Sequence, residues 1–241
     1  MERWEQKYKL PPSVWKEPSY NEAAEKPLAE LVEKLTPGMD AHAKGAQARV
    51  FYNLRETGGV RYVSVVNDNR QEGLYTQWTK NPNFKPYGKE QEATVWIKVP
   101  PGSVVYEFTG SKKLEAKADG DRLAVTVSLP PHAGRLLCVY PRELKQVRID
   151  ADAAFKRGQS GAIKVGVFDD QEKPAPGRQI VQVTVADPEG KAHDESGVYR
   201  VENGAVQVPF RPARNDAAGE WKVTVVERTS GLTQTKAFKV E

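Results

Sequence analysis

Alternating apolar and polar residues dominate the chain from Gln47 onward, which is typical of strands with one buried face. Turn residues divide the first half of this region into short candidate strands, and the Gly58-Gly59 pair predicts a tight hairpin. Strands at this spacing predict an antiparallel sandwich. They are Val50–Leu54, Val60–Val66, Thr94–Val99, Val104–Phe108, Leu114–Ala118, Leu123–Leu129 and Arg135–Tyr140.

The second half of the chain repeats the pattern with seven more candidate strands, the number found in an immunoglobulin-like sandwich. Ile163, Val165 and Val167 fall on the inward face of one strand, and Trp221 and Val223 on that of another. Trp221 is therefore predicted to be a core residue. The strands are Val147–Ala151, Ala162–Phe168, Gln179–Ala186, Val198–Val201, Ala205–Phe210, Glu220–Glu227 and Thr233–Val240.

The first 44 residues follow a different pattern. Apolar residues at helical spacing predict a helix from about Tyr20 to Leu35, which Ser19 and Glu22 can cap. A single amphipathic helix has to bury its apolar stripe, either on the sheet that follows or on a neighbouring domain. The stripe consists of Leu28, Leu31, Val32 and Leu35.

Together these patterns predict an all-β protein of two antiparallel β-sandwich domains in tandem, with a short N-terminal helical segment. We expect an irregular or helical lead-in at residues 1–44, one sandwich at 45–143 and an immunoglobulin-like sandwich at 144–241. The hinge Pro141-Arg142-Glu143 is short. The two sandwiches should therefore keep a fixed relation, while each has a core of its own.

Charge narrows the range of partners. The 241 residues include 36 Lys and Arg against 32 Asp and Glu, a formal net charge of +4. The two signs are interspersed and the densest basic site is Lys112-Lys113, whereas nucleic-acid binding needs a clustered basic face. No apolar stretch approaches the roughly 20 residues of a membrane span. The charged N-terminus has no apolar signal-peptide core, so we expect either a cytoplasmic protein or a segment of a longer exported chain. We expect no nucleic-acid partner and no membrane span.

Cofactor and metal chemistry lack the residue patterns that they need. Cys138 is the single cysteine, and its apolar surroundings predict a small buried hydrophobe rather than a reactive thiol. His42, His132 and His193 lie far apart in the sequence and do not have metal-ligand spacing. We therefore expect no metal and no cofactor.

Catalytic motifs are also missing from the sequence. It contains neither G-x-S-x-G nor G-x-x-x-x-G-K-[ST]. It also lacks the strand–helix alternation of a barrel that could hold two glycosidase carboxylates about 5–10 Å apart. We expect no enzyme activity from this chain. A linked catalytic domain upstream, and an enzyme of unknown class, stay open as alternatives.

Three stretches of the first sandwich, Val105–Gly110, Leu123–Leu129 and Arg135–Pro141, form a hairpin, a strand and a closing strand. In this order they resemble the C-terminal β-sandwich module of multidomain glycoside hydrolases. Residues Arg61–Asn67 are similar to an earlier strand of that module. The resemblance implies an accessory module without catalytic residues of its own.

The second sandwich resembles a macroglobulin-type or bacterial immunoglobulin-like domain in the strand Gly161–Asp169, the turn Ala186–Lys191 and the strand Ala218–Val223. Such modules carry, space or dock other domains. The two resemblances imply a non-catalytic accessory or scaffolding region of a larger exported protein. Its partners would be other domains of the same polypeptide or an exported protein, and its location, as part of a longer chain, would be periplasmic or secreted.

One connection offers candidate ligand-binding residues. Tyr75, Trp78, Phe84 and Tyr87 lie among lysines and asparagines, and rings on a loop can stack on sugar faces. Trp96 lies between positions that the alternation predicts to be buried, so its side chain is expected on the opposite, outer face of its strand. These five residues predict a carbohydrate-binding module, with polysaccharide as the ligand, as the alternative function. The rings can equally form a small core that pins the connection, with Trp96 covered by the helix.

Overall fold

The computed structural model describes residues 30–31, 34, 43–45, 50–68, 90–131, 133–202 and 204–241, and this part of the chain is almost entirely β. The predicted all-β class is confirmed. Ladders of hydrogen bonds join the described strands into three sheets. The strands are β1 Ala43–Gly45, β2 Val50–Thr57, β3 Val60–Asn67, β4 Gln91–Lys98, β5 Val104–Glu107, β6 Lys112–Lys113, β7 Lys117–Asp119, β8 Arg122–Leu129, β9 Gly134–Tyr140, β10 Leu144–Asp150, β11 Ala154–Phe155, β12 Gly161–Asp169, β13 Arg178–Ala186, β14 Gly197–Glu202, β15 Ala205–Phe210, β16 Gly219–Glu227 and β17 Thr233–Val240.

Two of the sheets use strands from residues 43–140 and share one core. One has the order β1-β4-β8-β7 and the other the order β2-β3-β9-β5-β6, with antiparallel neighbours in both. Alternate residues of both sheets fill the core, among them Val95 and Ile97 of the first sheet and Val63 and Leu137 of the second. This is the face-to-face packing that a period of two predicts.

The third sheet uses residues 144–240 and has the order β10-β12-β15-β14-β13-β16-β17-β11. It curls over itself, because β10 at one end also approaches β16 and β17 near the other end. Its inward residues then meet in one core. The predicted inward positions Ile163, Val165, Val167, Trp221 and Val223 are all buried there, so the alternation identified the correct face.

One predicted strand differs from the structure. The alternation in Leu114–Ala118 predicts a strand, but β6 lies before this stretch and β7 begins near its end, in two different sheets. The residues between β6 and β7 cross from one sheet to the other, and Leu114 and Ala116 pack against the shared core. A crossing segment buries alternate side chains as a strand does, so the pattern alone cannot separate the two.

The N-terminal lead-in is described at few positions. Glu30, Leu31 and Lys34 have helical backbone conformation, and the rest of the predicted helix lies outside the described residues. The helical segment therefore stays a prediction. Leu31 belongs to the predicted apolar stripe and is 49% exposed.

The outer face of β3, β5 and β9 is buried as well. Val60, Tyr106, Cys138 and Tyr140 lie on this face and belong to the same apolar cluster as the core of the third sheet. Because β9 is buried on both faces, its sequence reads as the unbroken apolar run Leu136–Tyr140. Residues 43–140 have an apolar core of their own, and the separate core of the third sheet continues onto the outer face of the five-stranded sheet.

Candidate interaction surfaces

Residues 43–140 and residues 144–241 meet at a surface that we call the junction. On the first side it consists of Val60, Tyr62, Tyr106, Cys138 and Tyr140. Tyr62 is partly buried and the other four are buried. Tyr106 and Tyr140 pack edge to face, with ring centroids 5.8 Å apart. Removal of this apolar surface from water stabilises the contact between the two parts of the chain.

Hydrogen bonds surround the apolar centre of the junction. The buried Tyr106 hydroxyl accepts a hydrogen bond from the N–H of Leu144 at 2.8 Å, at the first residue of β10. Each further contact links a different turn or strand, so together they oppose rotation of one part against the other. These are the Ser111 hydroxyl donating to the Arg228 carbonyl at 2.7 Å and the Tyr62 hydroxyl donating to the Arg178 carbonyl at 3.3 Å. In the hinge, Lys113 Nζ lies 3.1 Å from a Glu143 carboxylate oxygen.

Two turns of the 144–241 part approach the junction so closely that they need glycine. Gly177 has a φ of +74°, and a Cβ at this position would lie 2.7 Å from Val60 Cγ2. Gly231 has a φ of +79°, and a Cβ there would lie 2.7 Å from the Ser111 carbonyl oxygen. Both the left-handed backbone and the lack of space disfavour any larger residue.

A buried carboxylate shapes the second of these turns. Glu227 is fully buried. Its carboxylate accepts hydrogen bonds from the N–H groups of Thr229 and Ser230 at 2.9 and 2.6 Å and from the Ser230 hydroxyl at 2.6 Å. These bonds compensate for the loss of water around the carboxylate and fix the turn that brings Gly231 against Ser111. Glu227 therefore has a structural role at the junction.

Burial also controls the thiol and phenol groups of the junction. It raises the pKa of Cys138 to about 12, and the charge of Glu227 adds to the effect. Burial likewise raises the pKa of Tyr106 to about 12 and raises the pKa of Tyr140. Almost no thiolate forms at neutral pH when the pKa is so high. Cys138, at 1% exposed, is thus the inert buried cysteine that its sequence surroundings predict.

A shallow cleft of about 530 Å³ opens beside the junction. Its lining includes Thr57 and Gly58 of the β2–β3 turn, residues 174–178 and Glu202. Arg178 Nε lies 3.0 Å from a carboxylate oxygen of Glu202 and forms an ion pair with it. The lining contains one carboxylate, already paired, so the cleft does not supply the two carboxyl groups that glycoside hydrolysis needs.

Trp96 lies on the outer face of β4, opposite the buried Val95 and Ile97, as the alternation predicts. Its neighbours across the sheet are Lys44 on β1 and Ala124 on β8. The side chain is half-buried, so part of the indole reaches solvent. The choice between a ligand platform and a ring covered by the lead-in stays a prediction.

The other four predicted binding residues belong to the connection between β3 and β4. Tyr75, Trp78, Phe84 and Tyr87 lie outside the described residues. Their grouping with Trp96 into one binding surface therefore stays a prediction as well.

A polar cluster that the sequence analysis missed joins two connections of the third sheet. His193 lies between two carboxylates: its Nε2 is 3.2 Å from Asp216 Oδ2, and its Nδ1 contacts the carboxylate of Glu195. The His193 ring also packs edge-on against Phe210 and Trp221, with centroids 5.3 Å from each. The cluster ties the β13–β14 connection to the β15–β16 connection, next to the aromatic core.

Sequence spacing could not reveal this cluster, because only the sheet order brings Asp216 to His193. The two carboxylates approach opposite ring nitrogens, an arrangement that cannot chelate one ion. Among the described residues, no group of three or more His, Cys, Asp or Glu side chains is arranged to hold a metal ion. Within the same residues, no helix has the length and apolar character to cross a membrane.

Comparison with known proteins gives similarity at the level of fold. No family model and no curated protein matches the chain. E. coli alpha-2-macroglobulin matches with 13% identity and a TM-score of 0.35 over 77% of this chain and 14% of that chain. A β-glycosidase from Bacteroides vulgatus matches with 12% identity and a TM-score of 0.32 over 80% of this chain and 25% of that chain.

Domains 4 and 5 of the S-layer protein SbsC also match, with 13% identity and a TM-score of 0.29 over 73% of this chain and 89% of that chain. This chain spans a quarter or less of the macroglobulin and the glycosidase. The low scores limit that similarity to a β-rich fold and carry no argument about activity.

Proposed function

We propose that this chain is a non-catalytic accessory or scaffolding region of a larger exported protein, in which two β-sandwiches in tandem are held in one orientation. The junction carries the proposal, because the outer face of the first sandwich is part of the core of the second. Domains that move against each other usually share smaller and more polar contacts. A rigid pair of sandwiches sets the distance and angle between the groups attached to its ends, which is the task of a spacer or docking region.

The roles of the buried and partly buried titratable groups support the same proposal. Glu227 fixes a turn at the junction. His193 holds Glu195 and Asp216 together between two connections. The thiol of Cys138 is buried and protonated at neutral pH. Each of these groups has a structural role, whereas an active site would keep such groups facing a pocket.

Distances between spin labels test whether the two sandwiches are rigidly joined. Lys117 and Lys191 are exposed and lie in different sandwiches, so Lys117→Cys and Lys191→Cys can both carry labels in a background with Cys138→Ala. We expect one narrow distance distribution. The matched control is the pair Lys164→Cys and Lys191→Cys within the second sandwich, which gives the width due to the labels alone. A distribution much broader between the sandwiches than within the second one contradicts the scaffolding role.

The size and location of the native polypeptide test the remainder of the proposal. The chain described has a mass of 26.8 kDa. An antibody raised against it should detect a larger polypeptide in the exported fraction of cells that make it. Detection of a 26.8 kDa polypeptide confined to the cytoplasm would contradict the proposal.

A carbohydrate-binding module is the second candidate, favoured by the partly exposed Trp96 on an outer sheet face. Calorimetric titration with plant, algal and bacterial glycans tests it. Trp96→Ala, and a variant with Trp78→Ala and Tyr87→Ala, should abolish binding without loss of stability. Phe51→Ala is the control, since Phe51 is 62% exposed and lies on the other sheet. Absence of binding to every glycan, together with destabilised variants, removes this candidate.

A further inference from the structure

The outer side of β14 has an open backbone edge. β14 pairs with β13 from Gly197 to Glu202 without a bulge, whereas on its other side it pairs with β15 at one position, Glu202 opposite Ala205. Along the rest of its length β15 pairs with β12 instead. Within the described part of the chain, no turn or loop forms a backbone hydrogen bond to Val198 or Arg200.

The alternation of hydrogen bonds identifies the backbone groups on this edge. The Arg228 N–H donates to the Ile180 carbonyl at 2.8 Å, so the even-numbered residues of β13 face β16 and the odd-numbered residues face β14. The β14 residues that pair with those odd-numbered residues are themselves odd-numbered. The N–H and C=O groups of Val198 and Arg200 therefore point away from the sheet.

β14 lacks the features that protect the opposite edge of this sheet, at β17. There Lys236 points inward and its Nζ donates to the Ala151 carbonyl at 3.0 Å, while β11 pairs with the last two residues of the strand. Soluble proteins protect edges with inward charges and covering segments, because an open edge can pair with another chain. β14 contains no proline, and its inward side chains, Tyr199 and Val201, are uncharged.

An exposed apolar side chain lies on the same edge. Val198 is on the outer face of β14 and is 65% exposed. Its neighbour on that face is Arg200, whose guanidinium lies 3.3 Å from a carboxylate oxygen of Glu202. The open backbone groups and the exposed β-branched side chain therefore belong to the same residue, as they do in a strand that receives a further strand beside it.

We propose that a second copy of this chain pairs antiparallel with this edge, giving a two-fold symmetric dimer whose axis passes beside Tyr199. Val198 of each copy then lies opposite Arg200 of the other, and each of these two pairs exchanges two backbone hydrogen bonds. The two Val198 side chains become diagonal neighbours across the axis. On the inner face, Tyr199 lies opposite Tyr199 of the other copy, and an aromatic pair at such positions is favourable.

A shift of the axis by one residue in either direction brings like charges together. An axis at Arg200 places two guanidinium groups opposite each other. An axis at Val198 moves Glu202 toward Asp194 of the other copy. Like charges at opposing positions destabilise a ladder. The alignment at Tyr199 avoids both contacts, so this edge is complementary to itself in that register.

Sedimentation equilibrium of the full chain from about 1 µM to 1 mM tests the proposal. We expect a mass of 26.8 kDa at the low end and twice that mass at the high end. Val198→Arg puts like charges opposite Arg200 at two positions and should weaken association about tenfold. The double variant with Val198→Arg and Arg200→Glu restores opposite charges and should regain the affinity.

Thr235→Arg is the matched control, because Thr235 is exposed and lies on β17, at the opposite edge of the sheet. It adds the same charge and should leave association unchanged. Circular dichroism checks that each variant is folded. Hydrogen exchange provides a second measurement on the unaltered chain, in which the amides of Val198 and Arg200 should become protected as the concentration rises.

Two results would overturn the proposal. A single-chain mass at 1 mM overturns the dimer and leaves an extended segment of another protein as the alternative occupant of this edge. Equal association of the unaltered chain and Val198→Arg overturns the assigned edge. Neither result affects the proposed function, because the contacts that define the junction do not include a residue of β14.

Discussion

Removal of one oxygen atom at the junction should destabilise the whole chain. In Tyr106→Phe the ring remains and its apolar contacts are kept. The Leu144 N–H, however, loses the hydroxyl that accepts its hydrogen bond at 2.8 Å. Both residues are buried, at 2% and 3% exposed, so water cannot readily replace the hydroxyl. An unsatisfied buried donor costs about 1–3 kcal/mol, which is the loss that we expect in the free energy of unfolding.

Urea unfolding followed by circular dichroism measures this loss, and an unchanged dependence on urea concentration shows that the folded state stays compact. Tyr199→Phe is the matched control. The Tyr199 hydroxyl donates to the Glu195 carbonyl at 2.7 Å, but this side chain is partly exposed, so water can take the place of the hydroxyl. We expect the control to lose less than about 0.5 kcal/mol. Equal losses in the two variants would refute the role assigned to the junction hydroxyl.

Three further outcomes follow from the same contacts. Trp221→Ala should lose about 3–5 kcal/mol in urea unfolding, because the indole is 1% exposed and packs among aromatic rings; a loss below about 1 kcal/mol contradicts its core position. The pKa of Cys138 is about 12 in the folded chain against 9.0 for the free thiol, so its contribution to stability is complete below pH 9 and is lost as the pH rises from 9 to 12. Stability should therefore fall less steeply over this range in Cys138→Ala, and equal slopes count against the assignment. Residues 144–241 expressed alone expose the apolar surface that Val60 and Tyr140 cover, so this fragment should melt at a lower temperature than the full chain; an equal melting temperature argues for two independent cores.

The sequence alone determined the local structure of most of this protein. Alternation placed Ile163, Val165 and Val167 on a buried face, because successive side chains of a strand point to opposite sides whatever the strand pairs with. The Gly58-Gly59 pair marked the β2–β3 hairpin, where both residues have the left-handed conformation, with φ of +58° and +77°. These features depend on a few neighbouring residues, so they can be identified without knowledge of the fold.

The tertiary structure decided which surfaces meet. An apolar run such as Leu136–Tyr140 indicates that both faces of the strand are buried. It does not indicate that the second face packs against the core of the third sheet. Position 177 needs glycine because a Cβ there would collide with Val60, a residue far away in the chain. The cluster of His193 and Asp216 forms because sheet order brings two connections together. Long-range contacts of this kind depend on the pairing of whole strands, and a strand has the same local pattern whichever partner it finds.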